Sequence, residues 1–223
     1  MAQRDFSLNS GERLAVIETA LLPPDHMSRY QYVIDDLGTA RTSLVGLDAF
    51  CGSGYGANMM ASALDACILA IDGSSEAIEQ ANLNLLRPNL FFSQKFFPFH
   101  LPPGSFDFVA SMESIEHVED YESFACMLGK SLKPGGRLYV SAPDEREMSL
   151  EKINYHWHFK HFLAAEFEGL FTGLGLRLRS AFSTNHTLRK EGKVIATYPY
   201  VMRRDSLEPQ GAGDTHFMIF EKP

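Results

Sequence analysis

The chain holds none of the ~20-residue apolar runs needed to cross a bilayer, which excludes a hydrophobic membrane-spanning helix. Cysteine is scarce. Cys51, Cys67 and Cys126 are odd in number and lack CxxC spacing, which argues against a disulfide framework or a zinc ribbon. Positive charge is in deficit as well, with 20 Lys and Arg against 28 Asp and Glu, a formal net charge of −8. Broad binding to a nucleic-acid backbone is therefore disfavoured. The opening Met1-Ala2-Gln3-Arg4-Asp5-Phe6 lacks the apolar stretch of a signal peptide, so the expected location is the cytoplasm. Internal repeats and low-complexity tracts are missing too. Against these absences stand 223 residues, 45% of them hydrophobic and 12% aromatic, enough to bury the core of one folded α/β domain.

What is present alternates. Short apolar runs at 44–50, 66–71, 90–92, 106–110 and 137–142 have the length of buried strands. Between them lie helical patterns. Tyr121, Phe124, Ala125, Leu128 and Leu132 form one apolar stripe, which Lys133-Pro134-Gly135-Gly136 ends. Phe162, Leu163, Phe167, Leu170, Phe171 and Leu174 form another, closed by Gly173 and Gly175. Alternating β and α elements predict a mostly parallel sheet with helices on both faces. Ligands in such folds bind beyond the carboxyl ends of the strands.

The first strand runs into Asp48-Ala49-Phe50-Cys51-Gly52-Ser53-Gly54-Tyr55-Gly56. Such glycines let a backbone approach a ligand closely, although a tight strand-to-helix turn needs them equally. The second strand ends in Asp72, where a carboxylate can accept both hydroxyls of a ribose. Together these indicate an adenosine-containing cofactor without separating a nicotinamide dinucleotide from S-adenosylmethionine. Asp48 lies four residues before Gly52, where a pyrophosphate loop would avoid negative charge and where the amino group of a methionine moiety could be met. Gly104-Ser105-Phe106-Asp107 then opens the fourth strand, and Leu132-Lys133-Pro134-Gly135-Gly136 precedes the fifth.

In that order these motifs resemble the class I S-adenosylmethionine-dependent methyltransferases, over about residues 44–143. The resemblance implies a Rossmann-like fold: a mostly parallel seven-stranded sheet with helices on both faces and an antiparallel last strand. Residues 1–40 are expected as N-terminal cap helices and 41–223 as the methyltransferase domain, with an insertion or lid around 183–213. The implied cofactor positions are Asp48, Phe50, Gly52, Gly54, Asp72, Met112 and Gln94; beside the adenine the candidates are Ser93 and Gln94, with Gln94 preferred because its amide both donates and accepts. Phe50 stands where the family's loop carries its first glycine, and its ring is expected to turn away from the methionine and pack beneath the sheet's end. Gly11-Glu12-Arg13 with His26, Arg29 and Tyr30 resembles the opening of methyltransferases found with bacterial surface-polysaccharide genes, which suggests Arg29 and Tyr30 for the cofactor carboxylate.

After the fourth strand comes Met112-Glu113-Ser114-Ile115-Glu116-His117-Val118. It resembles a stretch of ubiquinone-biosynthesis O-methyltransferases and the Glu-x-x-Glu-His of small-RNA 2′-O-methyltransferases. The resemblance implies a magnesium or manganese site formed by Glu113, Glu116, His117 and His158. In the alternative, Glu116 and His117 only begin a helix, and His117 serves as a general base. Glu116, His117 and His158 are the candidate catalytic residues on either reading. The expected activity is methylation of a hydroxyl on a small molecule or glycan precursor. Its rivals are an RNA 2′-O-methyltransferase, a non-catalytic S-adenosylmethionine-binding protein and a nicotinamide oxidoreductase.

Overall fold

A computed structural model of the protein describes residues 22–38, 42–152, 156–184, 187–190, 193–197, 207–209 and 213–223. Its centre is a sheet of parallel strands. β1 (Leu44–Ala49) pairs with β2 (Ala66–Asp72) on one side and β4 (Phe106–Ser111) on the other. Outside them lie β3 (Leu90–Gln94) and β5 (Leu132–Pro143). Two later strands complete the expected seven. β10 (Thr215–Glu221) runs antiparallel to both β5 and β6 (Arg177–Thr184). The 183–213 segment adds an eighth, short edge strand, β9 (Leu207–Pro209), giving the order β3-β2-β1-β4-β5-β10-β6-β9. It also forms a separate antiparallel pair, β7 (Thr187–Lys190) with β8 (Lys193–Thr197).

Among the described residues five α-helices cover the sheet: α1 (Pro24–Leu37), α2 (Tyr55–Ala63), α3 (Ser75–Asn84), α4 (Tyr121–Ser131) and α5 (Ala164–Thr172). The period of two along each strand sorts side chains between the faces. Phe108, Ala110, Tyr139, Phe217 and Ile219 pack with Tyr30 and Val33 of α1 and Tyr55 and Met60 of α2. Their neighbours Val109, Leu138, Val140, Met218 and Phe220 pack on the other face with Phe124 and Leu128 of α4 and Phe167 and Phe171 of α5. Burying a side chain such as Phe108 contributes about 1.5–3 kcal/mol. Of the N-terminal cap, α1 is seen directly, and residues 1–21, with Gly11-Glu12-Arg13, lie outside the described residues. α1 packs tightly on α2, because a Cβ at Gly56 would come within 2.0 Å of the Tyr30 ring. Among the described residues no helix is long and apolar enough to cross a membrane.

The strand order reverses direction at β1, whose neighbours β2 and β4 lead outward to opposite sides of the sheet. A crevice opens beyond the carboxyl ends at such a point. The loops after β1, β2 and β4 meet there.

Candidate functional site

The loop from β1 to α2 turns through three left-handed residues, Phe50 (φ 62°), Gly52 (φ 55°) and Gly54 (φ 83°). A Cβ placed on Gly52 would meet nothing within 4 Å, whereas one on Gly54 would lie 2.5 Å from the Phe92 ring. The loop is tied to the end of β2. Asp72 accepts from the Gly52 N–H at 2.9 Å and, through its other oxygen, from the Ser74 N–H at 2.8 Å. Two backbone donors thus fix the carboxylate at the mouth of the crevice. Gln94, at the end of β3, is exposed and donates its amide to the Gly73 carbonyl at 3.2 Å.

Phe50 and Asp48 part company. Leu47 and Ala49 belong to the α4–α5 face and Asp48 to the opposite one, where the Tyr30 hydroxyl reaches its two oxygens at 3.2 and 3.4 Å. Strict alternation would send residue 50 after Asp48. The left-handed backbone throws the Phe50 ring to the α4 side instead, where it packs on Phe124 with centroids 5.0 Å apart. Asp48 is completely buried, and burial raises its carboxyl to about 7 although Tyr30 and the Ala57 N–H hold it down. The Tyr30 ring meets Tyr55 edge-on at 5.6 Å, and the Tyr55 hydroxyl lies 3.0 Å from His26 Nδ1.

Arg29 is a buried guanidinium with bonds to spare. It is 1% exposed, donates from Nη1 to Thr184 Oγ1 at 3.3 Å, and faces Asp25 at 3.7 Å and Glu113 at 4.0 Å. Its Nε and Nη2 have no hydrogen-bond partner among the described residues. A fully buried donor left without a partner costs a good part of a hydrogen bond, so the arrangement suits a ligand acceptor. Glu113 is left-handed (φ 48°). Its N–H donates to Ser141 Oγ at 3.0 Å, and that hydroxyl donates back to Glu113 Oε1 at 2.7 Å. Burial raises the Glu113 carboxyl against the opposing pull of Arg29 and Ser141.

Three of the four residues expected at a metal come together. Glu116, His117 and His158 each offer one ligand atom, all within 4.8 Å of one another. Glu113 stands apart from this group, because its backbone turns the carboxylate toward Ser141 and Arg29. Glu116 and His117 lie on a 3-10 turn, Ile115–His117, and the loop carrying His158 is tied to it by the Phe159 N–H, 2.7 Å from the Glu116 carbonyl. The His117 and His158 rings meet edge-on at 4.6 Å. Burial, with the charges of His117 and His161 adding to it, lowers His158 to about 3, so the ring is neutral at physiological pH. His156 is exposed and packs its ring edge-on against Trp157. Met112 is buried beneath the crevice.

Sequence reasoning passed over Ser141, Thr184 and Tyr55, although a serine inside the apolar run Tyr139-Val140-Ser141-Ala142 is a signal in itself. It also passed over Asp144, which is buried, holds Arg146 at 2.6 Å and lies 3.6 Å from His216.

Comparison with known proteins bears on this site as a whole. A family model described as a methyltransferase domain matches residues 26–181. A ubiquinone biosynthesis O-methyltransferase of Xanthomonas campestris pv. campestris is 35% identical over 113 residues, 48% of this chain and 47% of that one. A namesake from Albidiferax ferrireducens is 38% identical over 100 residues, 43% and 39% of the two chains. The chain thus spans about half the length of the curated relatives it matches. An S-adenosylmethionine-dependent methyltransferase from Mesorhizobium loti superposes with a TM-score of 0.68 at 13% identity, covering 89% of this chain and all of that one. A complex between the Haloferax volcanii Trm112 methyltransferase activator and a methyltransferase gives 0.67 at 18% identity, covering 86% and 88%.

Proposed function

The chain belongs to the methyltransferase-domain family and is a class I S-adenosylmethionine-dependent methyltransferase, and from that premise we propose that it methylates a hydroxyl of a small molecule or glycan precursor. The observation that carries the choice of oxygen is the group of Glu116, His117 and His158 after β4, beside a glycine loop pinned by Asp72. The names of the relatives, O-methyltransferases of ubiquinone biosynthesis, agree with it. The net charge of −8 supports a small acceptor over RNA.

When bound, S-adenosylmethionine supplies a methyl group on a positively charged sulfur. The residues fit that cofactor: the open space over Gly52 admits a close ligand, and a carboxylate with two oriented oxygens stands beside it. In this reading Asp72 accepts the ribose hydroxyls. Arg29 turns its unsatisfied Nε and Nη2 to the methionine carboxylate, with Tyr30 and Asp48 behind it. Met112 and Gln94 line the remaining wall. Glu116, His117 and His158 would hold a divalent metal that lowers the pKa of an acceptor hydroxyl. His117 can also take the hydroxyl proton itself, since neutral imidazole is a good base near pH 7.

The test is turnover of labelled S-adenosylmethionine against a panel of catechols, phenols and sugar hydroxyls. Methylated product at oxygen is the expected result. Product formed only on nitrogen or on RNA would overturn the proposal.

A further inference from the structure

The crevice holds one charged group of each sign with bonding capacity left over, and the two are neighbours. Arg29 Nη1 lies 4.0 Å from Glu113 Oε1, and Nε and Nη2 of the same guanidinium donate to nothing among the described residues. Glu113 Oε1 is taken by the Ser141 hydroxyl at 2.7 Å, whereas Oε2 has no hydrogen-bond partner among the described residues. The Arg29 side chain is 1% exposed and that of Glu113 is 25% exposed. The charges of Asp25 and Asp214 act on Glu113 as well, so the guanidinium is set among three carboxylates. A ligand that satisfies both groups therefore carries an anion for Arg29 and a cation for Glu113 on neighbouring atoms. The α-amino acid end of a methionine moiety is such a zwitterion.

Asp48, the other carboxylate near the glycine loop, suits the cation less well. It is wholly buried on β1, and the Tyr30 hydroxyl and the Ala57 N–H already meet it. Glu113 is delivered to the crevice by its own backbone. Its φ of 48° is a costly conformation for a residue with a Cβ, and the reciprocal bonds with Ser141 hold it there. We propose that Glu113 receives the ammonium of the cofactor's methionine moiety while Arg29 receives its carboxylate, and that Ser141 is the positioning residue that aims Glu113. This rests on the reading of the chain as an S-adenosylmethionine-dependent methyltransferase. It takes Glu113 out of the ion-binding role that the Glu-x-x-Glu-His resemblance implies, and it makes the site selective for a ligand carrying both charges.

The experiment is calorimetry on the full chain with four ligands: S-adenosylhomocysteine, its analogue without the amino group, its analogue without the carboxylate, and 5′-methylthioadenosine, which lacks both. Glu113→Gln should weaken the two amino-bearing ligands about tenfold or more and leave the other two within about twofold, because the amide is neutral. Arg29→Met should do the same to the two carboxylate-bearing ligands. Ser141→Ala, which keeps the Glu113 carboxylate but no longer aims it, should lose roughly three- to tenfold, again only for the amino-bearing ligands. A merely structural role would weaken all four alike. Asp48→Asn should not distinguish ligands with the amino group from those without it. Retained affinity for 5′-methylthioadenosine reports an intact fold, and Ser141→Ala carries the test if Glu113→Gln does not fold. Three results would each overturn the proposal: a parent that binds the analogue without the amino group as tightly as S-adenosylhomocysteine, a Glu113→Gln loss equal with and without that group, or an amino-selective loss in Asp48→Asn. Failure of all four ligands to bind the parent would strike the methyltransferase reading instead, so the two failures are distinguishable.

Discussion

Phe50 offers a test in which two substitutions separate strain from packing. Its left-handed backbone costs an L-residue roughly 1–2 kcal/mol, a cost glycine does not bear. Its half-buried ring, packed on Phe124, contributes about 2–3 kcal/mol through burial and ring contact together. Phe50→Ala removes the ring and keeps the strain, so it should destabilise by the full ~2–3 kcal/mol. Phe50→Gly removes both. The relief is partly offset by glycine's larger entropy in the unfolded chain, ~0.5–1 kcal/mol. The glycine variant should therefore be more stable than the alanine variant by about 1 kcal/mol. That order is the reverse of what an ordinary backbone position gives. Urea denaturation with a common m-value reads the difference directly. An alanine variant as stable as the glycine variant, or more so, would show that the loop relaxes out of the left-handed region. The account of why the ring lies on the α4 side would then fail.

Asp72→Asn should lower affinity for S-adenosylhomocysteine tenfold or more and remove most of the melting-temperature rise that ligand produces; unchanged affinity in calorimetry would take Asp72 off the ribose. Arg29→Met should weaken S-adenosylhomocysteine by at least tenfold yet leave 5′-methylthioadenosine, which lacks the carboxylate, within a factor of two. Equal losses for both ligands would mean that Arg29 acts only through the fold. Stability should also fall on the acid side. Burial holds His216 below the usual histidine range, so the native ring stays neutral while the unfolded ring takes up a proton near pH 6.5. The stability this group contributes is thus complete above pH 6.5 and declines as pH drops toward its native value, by up to about 1.4 kcal/mol per pH unit. Denaturant midpoints at pH 7.5 and 5.5 for the parent and for His216→Gln should differ in slope; parallel behaviour would refute the assignment.

The strands and the amphipathic helices were legible in the sequence because their signals are local. Runs such as 106–110 and the stripe Tyr121, Phe124, Leu128 report periodicity within a few turns of chain, and the strands they predict end within two residues of those observed. Only the fifth strand is extended further, since Leu132 already pairs with Phe106 and the Lys133-Pro134-Gly135-Gly136 turn is absorbed into β5. The eighth strand was not legible. Its three residues carry no periodic signal and exist as a strand only through pairing with β6. Two partners of Arg29, Glu113 and Thr184, were equally hidden, whereas Asp25 stands four residues before it on α1. Glu113 and Thr184 come from the loop after β4 and from the end of β6, and no window of sequence holds them with Arg29.

Glu113 shows how a motif can mislead by its own spacing. Glu-x-x-Glu places two carboxylates three residues apart, and on a helix those side chains would project from one face. The resemblance assigns both to one ion without fixing the backbone that carries them. Here the 3-10 turn begins only at Ile115, and Glu113 sits before it with φ at 48°. A left-handed residue sends its side chain away from where a right-handed turn would put it. So Glu116 joins His117 and His158, while Glu113 accepts from Ser141 and faces Arg29. One dihedral angle divides the acidic pair between the histidine side and the arginine side of the crevice. Glu113→Gly, which keeps the left-handed turn and deletes the carboxylate, should therefore leave any binding of manganese by Glu116, His117 and His158 intact while changing the affinity for S-adenosylhomocysteine through Arg29. Calorimetry showing loss of manganese binding with no change in cofactor affinity would instead group Glu113 with Glu116.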